Sequence, residues 1–520
     1  MNEYRTDFEK LCYACRVGDL ENVDRLAAAG VNLNGVDNFD NSPLFLASLC
    51  GHEEVVKLLL ERGAICDRDR YEGARCIYGA LTDIIRDILL AYDISKAVDT
   101  SQPFATHISS LLSEEEFLTN GLKLVFKQDN EHIDIHQFLL KARCVELWKT
   151  FFSASNKFIP TFYVPTNNRL KIFTLIIKFI YLIPVIHEIK TTEYPELIDL
   201  SKELKLETLS NFLDKLRHVT DPSEKSSMII EFQFRVTEEA RLQLCNFVEN
   251  NIFLNTIDPK NLKTANTPAS YNSKIIDPSA DILLLAKDSS DTERIYPCHI
   301  SILSRAHYFQ VLFSLPFSEN HMFRKLKNNN DSDAFSNLPV ISLPPCEFIV
   351  AEIVIRYLYY DDSDIPWEYS IDVLLIADFL LEDRLKSMSA IVITQDPQVL
   401  KNYSIFEILD VAWQTRMERL EHFVAKILAK DIRKYYKSEE FKDAIMKSSK
   451  RISEREETDT IELVDDIRYY LLEKYSLEPD DIQYYETVDD IRELQSAGIL
   501  DYRKDLDLID QVLHILHLNA

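Results

Sequence analysis

Residues 8–34 match residues 41–67 at a constant offset of 33 positions, pairing Leu11 with Leu44, Ala14 with Ala47, Gly18 with Gly51, Val23 with Val56, Leu26 with Leu59 and Gly30 with Gly63. A repeat of this length is one supersecondary unit that cannot bury its apolar face alone and must stack on a copy of itself. The second copy carries its own punctuation. Ser42 is placed to cap a helix whose first position is Pro43, where a missing N–H costs nothing, and Gly51 can end that helix at positive φ. Ala47 is small enough for a paired helix to approach, and Val55, Leu58 and Leu59 supply the stripe between stacked units.

A 33-residue unit of a turn and two short helices resembles the ankyrin repeat, with Pro43, Ala47, Gly51 and Gly63 as its turn and packing positions. A third copy is fainter. Ala80 and Leu89 lie 33 residues after Ala47 and Val56, but the matching glycines are gone, so residues 68–92 read as a degenerate closing unit. The stack is expected to span residues 1–92.

The 520 residues exceed one ordinary core and point to about three domains. A formal charge of -27 repels phosphate backbones and anionic headgroups, so neither nucleic acid nor a membrane is an expected partner. Between Glu454 and Asp510 stand 19 acidic against 6 basic residues, with periodic apolar residues among them, which reads as a folded acidic face. Only 9 glycines occur and no glycine-rich phosphate loop is among them. The most apolar stretch, Ile172 to Ile186, is interrupted by Lys178 and is too short to span a bilayer, so it reads as a core helix.

The N-terminal residues lack a signal-peptide pattern, which places the chain in a reducing compartment, the cytoplasm with the nucleus left open, and its 9 cysteines as thiols. Cys12 and Cys15 form a lone C-x-x-C without a second ligand pair at zinc spacing. His514 and His517 sit among Leu513, Leu516 and Leu518 and read as satisfied histidines of an amphipathic last helix. No metal or cofactor is expected. No nucleophile with its base, H-E-x-x-H or phosphate loop is present, so no enzyme is expected either, and the lack of a zinc finger or basic helix argues against a transcription factor.

Ala280 to Ala286 reads as a buried strand and Arg294 to Pro297 as its hairpin partner, followed at once by a helix over Cys298 to Phe313. That passage carries His299, Leu303, Arg305, Tyr308 and Phe309 in the order of the BTB/POZ signature H-x-x-x-L-x-x-R-S-x-Y-F-x-x-L-F, one residue short between Leu303 and Arg305; Asp281 opens the pattern. A strand at Pro339–Leu343 and helices at Phe348–Tyr359, Ile371–Leu380 and Leu385–Ile393 complete it. A divergent copy lies upstream. Leu122 to Phe126 reads as its strand, His136 and Arg143 keep the full spacing, and Thr174–Tyr181 and Leu197–Leu204 echo Ile353–Tyr359 and Val373–Leu380.

The chain therefore resembles the ankyrin and BTB/POZ domain-containing family. The expected fold is multidomain: an all-α ankyrin repeat stack, two α+β BTB/POZ domains at 117–216 and 276–395, and a helical BTB extension with the acidic region at 400–520. The connector at 217–275 reads as a strand at Glu231–Val236, a helix from Thr237 to Phe253 and a flexible linker from Asn255 to Asn272. A polar loop is expected at Asn320–Asn337, and Ser404 to Tyr436 is expected to be helical.

The resemblance implies protein–protein assembly, with recruitment of cullin-3 ubiquitin ligases as a prominent role. Cullin-binding members carry an apolar residue two before a Glu in the loop after the F-x-x-L-F helix, and Phe317-Ser318-Glu319 fits, although so short a sequence also occurs in ordinary loops. Ile300 and Gln137 follow His299 and His136 where some members have a basic residue, which argues against co-repressor binding. The expected function is an adaptor that recruits a client to cullin-3; the alternative is a scaffold without a ubiquitin role. The two BTB copies are expected to pair within the chain.

Overall fold

The computed structural model describes residues 6–28, 31–37, 39–62, 64, 66, 71–91, 104–113, 121–126, 131–152, 161–164, 170–190, 192–219, 222–257, 279–314, 338–362, 364–453, 461–477, 482 and 498–518. The chain divides into two compact units, residues 1–364 with 376–388, and residues 365–375 with 389–520.

Three helix pairs open the first unit: α1 (Asp7–Val17) with α2 (Leu20–Ala28), α3 (Pro43–Cys50) with α4 (Glu53–Glu61), and α5 (Tyr71–Tyr78) with α6 (Asp83–Ala91). The caps are those the repeat requires. Ser42 Oγ accepts from the Phe45 N–H at 3.1 Å, Pro43 takes the first helical position, and Gly51 ends α3 at φ 82°. Thr6 and Glu9 cap α1 reciprocally, and Gly18 ends it at φ 75°. Five of the six offset pairs, from Leu11 and Leu44 to Leu26 and Leu59, are thereby accounted for: the apolar and alanine members are buried and the glycines close helices. Ala80 and Leu89 are buried too, so the third pair forms without its glycines. Gly63 lies outside the described residues.

A Cβ at Gly51 would sit 2.6 Å from Leu81 Cδ2, the end of a side chain that can move, but its left-handed φ remains costly for any L-residue. Gly51→Ala is expected to lose about 1 kcal/mol, read as a lowered melting temperature of the full chain. An unchanged melt would mean the α3 terminus relaxes freely.

After α7 (Phe104–Ser110) comes the first α+β module: β1 (Gly121–Phe126), β2 (Glu131–His136), α8 (Gln137–Arg143), α9 (Val145–Lys149), β3 (Thr161–Tyr163), α10 (Leu170–Ile180), α11 (Tyr194–Glu203) and α12 (Glu207–Leu216). Its sheet order is β2-β1-β3, antiparallel between β1 and β2 and parallel between β1 and β3. The same order recurs downstream. A long helix, α13 (Pro222–Phe247), runs into a π-helical turn at Val248–Phe253, and then β4 (Ile282–Lys287), β5 (Glu293–Cys298) and β6 (Val340–Ser342) form a sheet ordered β5-β4-β6 with the same senses. Its helices are α14 (Ile300–Leu303), α15 (His307–Ser314), α16 (Phe348–Tyr360), α17 (Ser370–Leu380) and α18 (Asp383–Gln395). Two copies of one architecture follow the repeats.

Three expectations change. Residues 231–236 are helical, because Phe232, Val236, Ala240, Leu244 and Phe247 recur at helical spacing and are all buried, Phe232 stacking on Phe212 at 3.8 Å. Thr237 therefore caps nothing; its Oγ1 donates to the Gln233 carbonyl inside α13. The helix expected over 298–313 is two helices, broken at 304–306, where the signature is one residue short. The expected linker begins in order, since Ile257 exchanges both backbone hydrogen bonds with Ile295 at 3.0 Å. Residues 258–278 and the loop expected at Asn320–Asn337 lie outside the described residues.

Ile172, Ile176, Ile177 and Ile180 are buried on α10, and among the described residues no helix is long and apolar enough to cross a membrane. The second unit continues through α19 (Val399–Asn402), α20 (Ile405–Thr415), α21 (Glu418–Lys430), α22 (Ile432–Tyr435), α23 (Glu439–Ser453), α24 (Glu462–Tyr475) and α25 (Ile499–Leu516). Leu420, Val424, Leu428, Phe441, Ile445, Val464, Ile467, Ile509 and Val512 fill its core, so the described part of the acidic segment is folded with its apolar residues inward. His514 and His517 are exposed, His517 ending α25 at φ 55°.

Candidate partner-binding surface

The signature residues of both modules form matching buried clamps. In the second module, Tyr359 Oη lies 3.1 Å from the His299 backbone N–H, which donates to it, and 2.6 Å from His299 Nδ1. His299 Nε2 meets Ser279 Oγ at 3.2 Å, and the Ile300 N–H donates to Asp281 Oδ1 at 2.7 Å, closing the start of α14. Arg305 donates to the carbonyls of Tyr357 and Leu358 at 2.9 and 3.2 Å, satisfying the end of α16, and to Asp361. Asp361 also receives Arg384 Nη1 at 2.6 Å.

The first module repeats this with His136 and Tyr181, where both contacts are 2.8 Å. Arg143 donates to the carbonyls of Phe179, at 3.0 Å, and Ile180. Where the second module offers a carboxylate, Arg143 Nε donates to Gln243 on α13 at 3.1 Å. Burial pushes the His136 imidazole down to about 3, so it is neutral. Burial also lowers Arg143 to about 10. Asp281, His299, Arg305, His136 and Arg143 are buried and hold strand to helix or helix to helix, and Phe309 is buried on α15 against Phe313.

Cys12 and Cys15 are buried thiols, Cys12 pushed up to about 11 by burial and Cys15 further, so neither is poised as a thiolate. No group of three metal-ligating side chains occurs among the described residues. Phe317 and Glu319 lie outside the described residues.

Tyr308 differs from the rest of the signature. On α15 it is only half-buried, and its ring packs 4.7 Å from Phe379 at the end of α17. Phe379 is 44% exposed, Leu381 beyond it 56%, and Val311, one turn along α15 from Tyr308, 37%. Leu381 is held out by a left-handed φ of 58°. Tyr308 and Phe379 thus pair beside the exposed Val311 and Leu381, an apolar patch at α15 and the end of α17.

The first module shows what the same place looks like when sealed. Counting from the clamp arginines, Glu146 stands where Tyr308 does and Lys149 where Val311 does; Lys205, at φ 56° after α11, stands where Leu381 does. Glu146 Oε1 receives Lys149 at 3.0 Å and Lys205 at 2.8 Å, and its carboxyl is held below the ordinary range by the bonds from Lys205 and Lys149. One module thus presents a charged, self-satisfied face and the other an apolar one. Phe379 and Leu381 escaped the sequence reading because Val373–Leu380 is almost wholly apolar, and periodicity alone does not separate its core face from its exposed end.

The ankyrin stack carries a second surface. A groove of 390 Å³ is lined by Phe8, Tyr13, Arg16, Val36, Asp37 and Phe39, with Tyr13 and Phe39 exposed.

The family model for ankyrin repeats matches residues 6–82 with three copies. An ankyrin repeat-containing protein of Saccharomyces cerevisiae is 52% identical over 516 residues, covering 99% of this chain and 98% of that protein. BTB/POZ domain-containing protein 3 of Schizosaccharomyces pombe is 34% identical over 522 residues, covering 99% of this chain and 90% of that protein.

Proposed function

Because this chain belongs to the ankyrin repeat and BTB/POZ domain-containing family, we propose that it is a non-catalytic adaptor that brings a client, held by the ankyrin stack, to a cullin-3 ubiquitin ligase docked on the second α+β module. The observation that carries the docking role is the apolar patch of Tyr308, Val311, Phe379 and Leu381, set against the ion-paired Glu146, Lys149 and Lys205 at the same place in the first module. Exposed apolar side chains occur singly on any surface, but a contiguous group rimmed by polar residues marks an interaction site. Phe317 and Glu319 follow α15 in sequence, and the family's apolar and acidic pair would add to the patch. The ankyrin groove, with Tyr13 and Phe39 exposed beside Arg16 and Asp37, suits a peptide with both apolar and charged contacts.

The test is calorimetric titration of a cullin-3 N-terminal fragment into the wild type and into Phe379→Ser, Leu381→Asn and Phe317→Ala variants. Asn tolerates the left-handed backbone at 381, so that change removes the side chain without straining the turn. Each anchor is expected to contribute about 2 kcal/mol, a loss near thirtyfold in affinity, while Lys205→Ala should leave binding unchanged. If the wild type itself fails to bind, the scaffold without a ubiquitin role replaces this reading.

A further inference from the structure

The two α+β modules touch through α8 of the first and the start of α14 of the second. The Phe138 ring on α8 of the first module lies 4.6 Å from the His299 ring that opens α14 of the second. Phe247 on α13 completes the group, 6.3 Å from Phe138 and 5.6 Å from His299, and all three are buried. The connecting helices cross over. Helix α7 precedes the first module in the chain, yet His107 Nε2 donates to the Ser301 carbonyl of the second at 2.9 Å. Burial keeps His107 neutral, its pKa pushed down to about 3, and the carbonyl acceptor requires the proton on Nε2. Helix α13 precedes the second module, yet Gln243 accepts from Arg143 of the first. Beyond it, Glu249 receives Arg356 of the second module at 3.1 Å, whose guanidinium lies over the Phe253 ring.

Each module is thus closed by the other and by the helix that precedes the other. We propose that the modules form a complete internal pair: the first copy permanently occupies the face through which the second would join another chain, and the protein is a monomer. Its divergence from the second copy fits this division. The first copy keeps the clamp of His136, Tyr181 and Arg143 and the pairing residue Phe138, while its outer face is sealed by the Glu146 ion pairs. Joining the modules in one chain holds the internal partner at an effective concentration on the order of millimolar, above what a second molecule supplies.

The test cuts the chain between the two modules. A specific protease site is inserted within residues 258–278 of the full chain, and the purified, folded protein is cleaved and run on size exclusion with light scattering at micromolar concentration. The uncut chain is expected at its monomer mass of 60.5 kDa. The cleaved halves are expected to co-elute at the same mass. Phe138→Asp, which places a charge against the His299 ring, should let the cleaved halves separate, whereas Phe138→Leu, which keeps the contact apolar, should hold them together. Wild-type halves that part on cleavage, a Phe138→Asp pair that stays joined, or an uncut dimer that survives dilution would each overturn the proposal.

Discussion

Asp361→Asn is expected to destabilise the first unit by about 3–5 kcal/mol, the range for removing one partner from a buried ionic group. The carboxylate is buried between two guanidinium groups, receiving Arg305 and, at 2.6 Å, Arg384, both also buried. Asn preserves the shape and accepts the left-handed φ of 61° at this position, so backbone strain does not confound the comparison. What is lost is the negative charge between Arg305 and Arg384, and two cations remain in a medium that solvates them poorly. The group also has a pH signature. Burial by itself would raise the Asp361 carboxyl, but Arg305 and Arg384 outweigh it and hold the group well below the ordinary carboxylate range. A depressed folded pKa contributes stability that is fully present above the unfolded value of about 3.9 and is lost as pH falls below it. Trp148 reports this unit when Trp367 and Trp413 are replaced by Phe. Urea unfolding followed by its fluorescence should show the loss at pH 7 and a flatter acid dependence in the variant. A loss under about 1 kcal/mol, in the range of exposed pairs, would show that the cluster is hydrated.

In the second unit, Asp505→Ala is expected to cost about 2–4 kcal/mol, somewhat less because the cations it pairs remain partly solvated. Asp505 is buried on α25, where Arg433 Nε donates at 2.6 Å, Lys474 Nζ at 2.8 Å and Tyr475 Oη at 2.7 Å. These donors come from α22 and α24, so one carboxylate ties three helices together. Burial would raise its pKa, but the Lys474, Tyr475 and Arg433 hydrogen bonds prevail and lower it, so this contribution too fades as pH falls below about 4. Asp505→Asn should recover part of the loss by keeping some of the hydrogen bonds. Chemical denaturation followed through Trp413 measures both. If Asn and Ala cost the same, charge is the whole of the interaction; if neither costs anything, α25 is held by its apolar face alone.

Asp505 was visible beforehand only as one of 19 acidic residues in a strongly charged segment. Its neighbours give no local hint that it faces inward among cations from two other helices. The long helix α13 is hidden in the sequence for a related reason. Glu231 to Val236 alternates apolar and polar residues over six positions, which fits a strand, and only the longer row from Phe232 to Phe247 reveals the helical period. The signature histidines and arginines are legible as identities, but their clamp geometry depends on Tyr181 and Tyr359, which lie 45 and 60 residues downstream.

By itself the sequence determined the repeat stack and the two signature-bearing modules, because caps, left-handed glycines and apolar periods act over one turn or one repeat and are written in neighbouring residues. Ser42, Pro43 and Gly51 specify the ends of α3 whatever surrounds them. Only the tertiary structure decided which surface is open. Tyr308 and Glu146 hold equivalent positions, and whether that position is an apolar patch or a closed ion pair depends on Phe379 and Leu381 in one module and Lys205 in the other, about 60 to 70 residues away. The same holds for Phe138 against His299, a contact between modules that no local pattern encodes. Burial and pairing are properties of surfaces brought together from distant parts of the chain, and the folded packing, not the order of residues along a helix, sets which side chains meet.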